Sequence, residues 1–182
     1  PQSVTVLTLN GLKSVGRLVL HNGITSLKLE LASVDGLFLP ELLHDFELGG
    51  VTSAKGLNLG KGMEWFNSSS LTSAEHLVLP YGINYLTLDG LISAEHLDIP
   101  RSVNKLVLGK LISAEHLVIP GNTEILKLDG LTSAEHLVLP GSVKMLVLNG
   151  LETAEHLVLP DGLGGLRING LKNAEHLVLP SK

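Results

Sequence analysis

Residues that could do chemistry recur in this chain at a fixed interval. The tetrapeptide Ala-Glu-His-Leu occurs six times, at residues 74–77, 94–97, 114–117, 134–137, 154–157 and 174–177. Imidazole is a common transition-metal ligand, and a carboxylate beside it could act as a general acid or base. A repeat of 20 residues indicates one structural unit stacked on itself, so equivalent side chains should form rows along the stack.

The histidine row is a candidate metal site. Neutral imidazoles in file could bind transition-metal ions. A metal site requires ligands that converge on one point, whereas the members of a straight row diverge. We therefore expect each imidazole to form a hydrogen bond with its neighbour or with the adjacent glutamate, with no metal and no cofactor bound. The row comprises His76, His96, His116, His136, His156 and His176.

The glutamate row is a candidate for acid-base catalysis. Hydrolysis by paired carboxylates requires two groups whose environments separate their pKa values. Six equivalent copies supply the opposite, so we expect a protein that is not an enzyme. An alternative polysaccharide-cleaving site could lie only in the irregular stretch 41–70, with Asp45, Glu47 and Glu64. The row comprises Glu75, Glu95, Glu115, Glu135, Glu155 and Glu175.

The elements that carry these rows follow from the pattern within the unit. We number each unit from its first apolar residue, and the units start at Leu12, Leu31, Val51, Leu71, Leu91, Leu111, Leu131, Leu151 and Leu171. Positions 7 and 9 are apolar, as are positions 16 and 18, and this alternation is typical of strands with one buried face. Most units have proline at position 10 and glycine at position 20, often after Asn or Asp, which indicates tight corners with positive φ.

Identical coils stack most simply in parallel. The sequence therefore predicts an all-β fold, a parallel β-solenoid of about nine 20-residue coils with two short strands per coil and little or no helix. Residues 1–182 form a single repeat domain in this interpretation, with degenerate coils over 1–70 and regular coils over 71–182. We expect the chain to be a fragment of a longer protein.

The string AEHLVLPGSVKML, from Ala134 to Leu146, has the spacing A/L-x-x-L-x-L-P-x-x-V-x-x-L. In this spacing the chain resembles a leucine-rich-repeat protein. It is most similar to the BspA-like repeats of bacterial surface proteins and, in repeat length, to the short repeats of bacterial effectors. The resemblance implies protein or glycan binding at an extracellular or bacterial cell surface, without catalysis.

The composition of the chain argues against several classes of binding partner and chemistry. The formal net charge is −5, which argues against nucleic acid because phosphate binding requires a basic face. The chain has no cysteine, so it has neither disulfides nor thiol chemistry. Charges interrupt every apolar run well before the roughly 20 residues of a membrane span, so we expect none.

The outward positions of the second strand are the candidate ligand-binding surface. They vary between coils while the inward leucines do not, as in a scaffold that keeps its core and changes one face. Position 15 holds Trp65, Tyr85 and Lys105, position 17 holds Lys127, and Tyr81 lies at the adjoining corner. Exposed aromatic side chains anchor proteins and stack on sugars. In an alternative interpretation, Trp65 turns inward and caps an irregular core.

A second surface is formed by outward valines at position 8, beside the histidine row. They are Val78, Val118, Val138, Val158 and Val178, and Asp98 interrupts them. Exposed apolar rows of this kind often serve as contact surfaces. The sequence thus favours a non-catalytic leucine-rich-repeat-like scaffold that binds a protein or glycan. The alternative is a structural spacer or self-assembly element that associates through the histidine and valine face.

Overall fold

The computed structural model describes residues 3–13, 15, 16 and 18–180. Within them nine strands form one parallel sheet in chain order, and no helix is present. The strands are β1 (Val6–Leu12), β2 (Ser26–Leu31), β3 (Asp45–Gly49), β4 (Trp65–Asn67), β5 (Tyr85–Thr87), β6 (Lys105–Val107), β7 (Ile125–Lys127), β8 (Met145–Val147) and β9 (Gly165–Arg167). The protein is a β-solenoid, as the period predicts.

The register of the sheet follows the sequence period. Trp65 pairs with Tyr85, and Tyr85 pairs with Lys105, so each strand is offset by 20 residues from the next. The offset is 19 between β2 and β3, where the sequence unit is one residue shorter. A bulge between Leu9 and Leu12 shifts the first pair, and Gly11 within it has a φ of +71°.

Each coil contributes one strand to the sheet, so the expectation of two strands per coil is wrong among the described residues. Residues 137–139 alternate inward and outward as a strand would, yet they form no hydrogen bonds to the neighbouring coils. Pro140 follows directly and has no N–H to donate to such a ladder. The alternation at positions 7–9 therefore reflects one buried face of an unpaired segment.

The core is a column of aliphatic side chains stacked from coil to coil. Leu131, Ala134, Val143 and Leu146 are each 0–1 % exposed, and the coils that start at Leu71 and Leu91 bury aliphatic residues at the same four positions. The coil that starts at Leu111 differs at position 13, where it buries Thr123. Phe46 and Phe66 continue the column in the degenerate coils, with ring centroids 5.8 Å apart. Because each coil packs only on its neighbours, the stack is held together by adjacent-coil contacts.

The glycines at position 20 are required by close packing more than by positive φ. A Cβ at Gly150 would lie 2.3 Å from the carbonyl oxygen of Asp129, and one at Gly90 would lie 2.4 Å from that of Leu71. Among the described residues, Gly50 is the one position-20 glycine with positive φ. The expectation of positive-φ corners there is thus wrong for the regular coils.

Candidate functional site

The outward face of the sheet brings most of the candidate residues together. Trp65, Tyr85 and Lys105 occupy consecutive strands in direct register, with Asp45 before them in the same row. Adjacent parallel strands lie about 4.8 Å apart, so these side chains are immediate neighbours. The row therefore contains an acid, two aromatic rings and a base along the solenoid axis.

Trp65 points outward. The next residue, Phe66, is fully buried and stacks on Phe46, whereas Trp65 is half-buried and Tyr85 is 42 % exposed. The alternative in which Trp65 caps the core is therefore wrong. Within residues 3–13, 15, 16 and 18–180, neither Trp65 nor Tyr85 pairs with another aromatic ring, so their faces are not covered by ring stacking.

Lys127 lies on the same sheet face, in the second outward row. It pairs with Val107, and the row continues back through Thr87 and Asn67. The Oδ1 atom of Asn67 is buried and accepts no hydrogen bond from the described residues. Polar groups thus line the row beside Trp65 and Tyr85.

Tyr81 lies elsewhere. It follows Pro80 in a turn closed by the N–H of Ile83 on the Pro80 carbonyl, and it is 90 % exposed. Its side chain lines an open concavity of about 1420 Å³ together with Val78, Asp98 and Arg101, among other residues. The structure therefore places Tyr81 with the valine row, on the surface formed by positions 8 and 11.

The Glu-His segment forms a turn. The N–H of Leu77 donates to the carbonyl of Ala74, so Glu75 and His76 are the two central residues. His76 has a φ of +65°, as the third residue of a type II turn requires, and all six histidines of the row have φ between 63° and 66°. Glycine holds the same position, also with positive φ, in the degenerate coils at Gly36 and Gly56.

The residue two before each glutamate stabilises this turn. The Glu75 N–H donates to the Ser73 hydroxyl at 3.1 Å, and the glutamate at position 5 of each later coil repeats the bond. Thr153 and Asn173 take the place of serine in the last two coils. Such local side-chain acceptors are typical of turns.

Each imidazole contacts the carboxylate of its own coil. The Nε2 to Oε1 distances between neighbouring His and Glu are 3.5–3.8 Å, and both side chains are largely exposed. Each histidine thus lies beside its glutamate, as expected, but no hydrogen bond joins the two side chains. Among the described residues no group of three or more His, Cys, Asp or Glu side chains is placed to hold a metal ion.

Two further polar rows were not predicted from the sequence. Asp89 accepts a hydrogen bond from the Gly109 N–H at 2.9 Å, and Asn169 donates to Asn149 at 2.8 Å, both at position 19. On the strand side, Lys144 pairs with Glu124 at 2.7 Å. The hydrogen bond and positive charge of Lys144 lower the pKa of Glu124. Inter-coil bonds of this kind fix the register of the stack.

The fold and its rows define the class of protein: a parallel β-solenoid repeat protein with coils of about 20 residues. Comparison with protein-family models, with curated proteins and with solved structures returned no match to the chain. None of the described residues forms a helix, so no helical membrane span is found among them.

Proposed function

We propose that this solenoid is a non-catalytic binding scaffold that recognises a protein or glycan through the outward face of its sheet. The observation that carries the proposal is the pair Trp65 and Tyr85, which lie in register on the outward face of adjacent strands, the first half-buried and the second exposed, and which are free of aromatic partners among the described residues. Two neighbouring rings on a rigid sheet form a platform on which a sugar or an apolar side chain can stack.

Polar and charged neighbours supply the direction and specificity that a stacking platform lacks. Lys105 continues the aromatic row, and Asn67 and Thr87 lie in the next row on the same strands as Trp65 and Tyr85. The leucine-rich-repeat resemblance supports this class of partner and a location at an extracellular or bacterial cell surface. Ligand recognition here requires no metal, cofactor or nucleic acid.

Intrinsic fluorescence tests the proposal directly, because Trp65 is the single tryptophan of the chain. We would titrate soluble oligosaccharides of cellulose, chitin and β-1,3-glucan, and a set of extracellular matrix proteins, while recording its emission. Binding on the sheet face should shift the emission, and Tyr85→Ala should weaken that binding about tenfold or more.

Tyr81→Ala is the matched control, since it removes an equally large exposed ring from the other surface. Binding that survives Tyr85→Ala but is lost with Tyr81→Ala would contradict the proposal. Far-UV circular dichroism of both variants checks that the solenoid remains folded.

A second candidate function, the structural spacer or self-assembly element, is favoured by one observation. The valines at position 8 in the regular coils are 73–77 % exposed, which leaves a continuous apolar strip at Val118, Val138, Val158 and Val178.

A further inference from the structure

The surface formed by positions 8 and 11 has three features that the single chain does not explain. The first is its exposed apolar row. Besides the valines, Phe38 is 81 % exposed at the same position. Water-exposed apolar rows are costly in a folded protein unless another surface covers them.

The second feature is a pair of opposite charges at the middle of the row. Asp98 replaces valine at position 8, and Arg101 lies three residues later at position 11 of the same coil. Both line the same concavity. Within the part of the chain that the structure describes, neither side chain forms an ion pair or hydrogen bond.

The third feature is glycine at position 11 in the two coils that follow. A Cβ at Gly121 or Gly141 would meet no atom within 4 Å, and neither residue has positive φ. Nothing inside the chain therefore requires glycine at these places. A surface with no side chain at position 11 beside Val118 and Val138 at position 8 presents holes next to knobs.

We propose that this surface pairs with the same surface of a second copy in a two-fold dimer, with position 8 of each coil opposite position 11 of the equivalent coil. A two-fold axis parallel to the solenoid, midway between the two positions, produces this register. Asp98 then faces Arg101 of the second copy, and the reciprocal pair forms at the same time.

The pairs in the three coils nearest to Asp98 bring apolar groups together, whereas Phe38 and Val158 face Glu41 and Asp161 of the second copy. Val118 and Val138 insert over Gly121 and Gly141 of the second copy, and Val78 packs on Tyr81. No like charges meet across positions 8 and 11. The charges disfavour the simplest alternative register, in which position 8 lies opposite position 8 in equivalent coils. That register would place Asp98 against Asp98 and leave both charges buried without a partner.

The available area is close to the lower limit for a specific dimer. Nine strands at a spacing of about 4.8 Å give a length of roughly 38 Å, and the segment from position 7 to position 11 is about 15 Å wide. Covering that strip on both copies would bury roughly 1,100 Å², just below the usual range for specific complexes and above the minimum of about 1,000 Å² for a biological interface. The dimer stands independently of the proposed ligand function, since it uses a different face.

Charge reversal with analytical ultracentrifugation tests the register. The wild-type protein should form dimers within the range of protein concentrations from about 1 to about 500 μM. Asp98→Arg and Arg101→Asp should each weaken the dimer about 100-fold, because each places like charges at both pairs. The double variant carrying both reversals should restore it.

Mixing the two single variants is the decisive arm. Each should be monomeric alone, yet together they should form a heterodimer, since both facing pairs then have opposite charges. Asp45→Arg and Lys127→Asp make matched charge changes on the sheet face and should leave the dimer unaffected. A monomeric wild type, a dimer insensitive to either reversal, or variants that stay monomeric when mixed would each overturn the proposal.

Cross-linking reports the register independently, because the chain contains no cysteine of its own. A mixture of Val138→Cys and Gly141→Cys proteins should oxidise mainly to the mixed disulfide. Predominant Val138→Cys homodimers would show that position 8 faces position 8, which contradicts the proposed register.

Discussion

The histidine turns offer a direct test of how the coil is built. Replacing all six row histidines by glycine should stabilise the protein, because glycine adopts positive φ without steric penalty. An L residue in the left-handed region costs about 1–2 kcal/mol, and glycine loses an additional ~0.5–1 kcal/mol of chain freedom on folding. The net gain is roughly 0.5 kcal/mol per turn and roughly 3 kcal/mol for six, a large fraction of the usual 5–15 kcal/mol of a domain.

The opposing contribution is the contact between each imidazole and its glutamate. These pairs are 3.5–3.8 Å long, and their side chains are exposed, with the six imidazoles 56–64 % accessible. Exposed ion pairs contribute a few tenths of a kcal/mol. The strain should therefore outweigh the contact.

Urea unfolding followed by far-UV circular dichroism at pH 8 measures the difference. His44→Gly is the matched control, since His44 is exposed and has no positive φ. This variant should lower the free energy of unfolding by about 0.5–1 kcal/mol. If the sixfold variant unfolds at lower urea than the wild type with an unchanged slope, the imidazole row stabilises the coils by more than its backbone strain, and the reasoning is wrong.

Three further predictions concern single residues. Gly150→Ala should lower the free energy of unfolding by about 1–3 kcal/mol, because the new Cβ would lie 2.3 Å from the Asp129 carbonyl oxygen. Gly60→Ala should leave stability unchanged, because the nearest atom to its Cβ would lie at 3.9 Å. Denaturant midpoints of the two variants measure the difference. Leu146→Ala, at a fully buried site, should lose about 2–5 kcal/mol, whereas Ile112→Ala, at a site 63 % exposed, should change stability by about 0.5 kcal/mol or less in the same assay. Lys144→Met should return the pKa of Glu124 towards its ordinary value in an NMR titration; in the wild type the lowered pKa stabilises the fold above the unfolded value of 4.5, and this contribution is lost as pH falls through the lowered pKa.

The period of the sequence was sufficient to predict the solenoid and the direction of most side chains. Equivalent positions in parallel coils must align, so placing Trp65 beside Tyr85 required only the 20-residue offset and the inward leucines on either side. The same logic placed the valines at position 8 outward. These features depend on repetition and alternation, which a single sequence displays directly.

Backbone conformation was harder to predict because residue type is an indirect guide to it. Glycine at position 20 indicated positive φ, but the real constraint is a neighbouring carbonyl, which no local pattern reveals. The positive φ lies instead at His136 and its equivalents, and histidine, unlike glycine, is not a residue type that indicates it. Gly36 and Gly56 at the same position were the available signal. A second strand would require hydrogen bonds between coils. The alternation of apolar residues indicates that one face is buried, and it is the same whether or not such hydrogen bonds form.

The constant offset between strands has a consequence for folding kinetics. Every strand pairs with one about 20 residues away, and 20 divided by 182 gives a relative contact order of about 0.11. That value is typical of helical bundles, whereas sandwiches and barrels of β-strands reach about 0.16–0.22. Loop closure therefore costs each coil little entropy, and once one pair of coils has formed, the next can add to it by a local step. Although strands are the only regular elements among its described residues, this chain should fold at rates closer to those of small helical proteins.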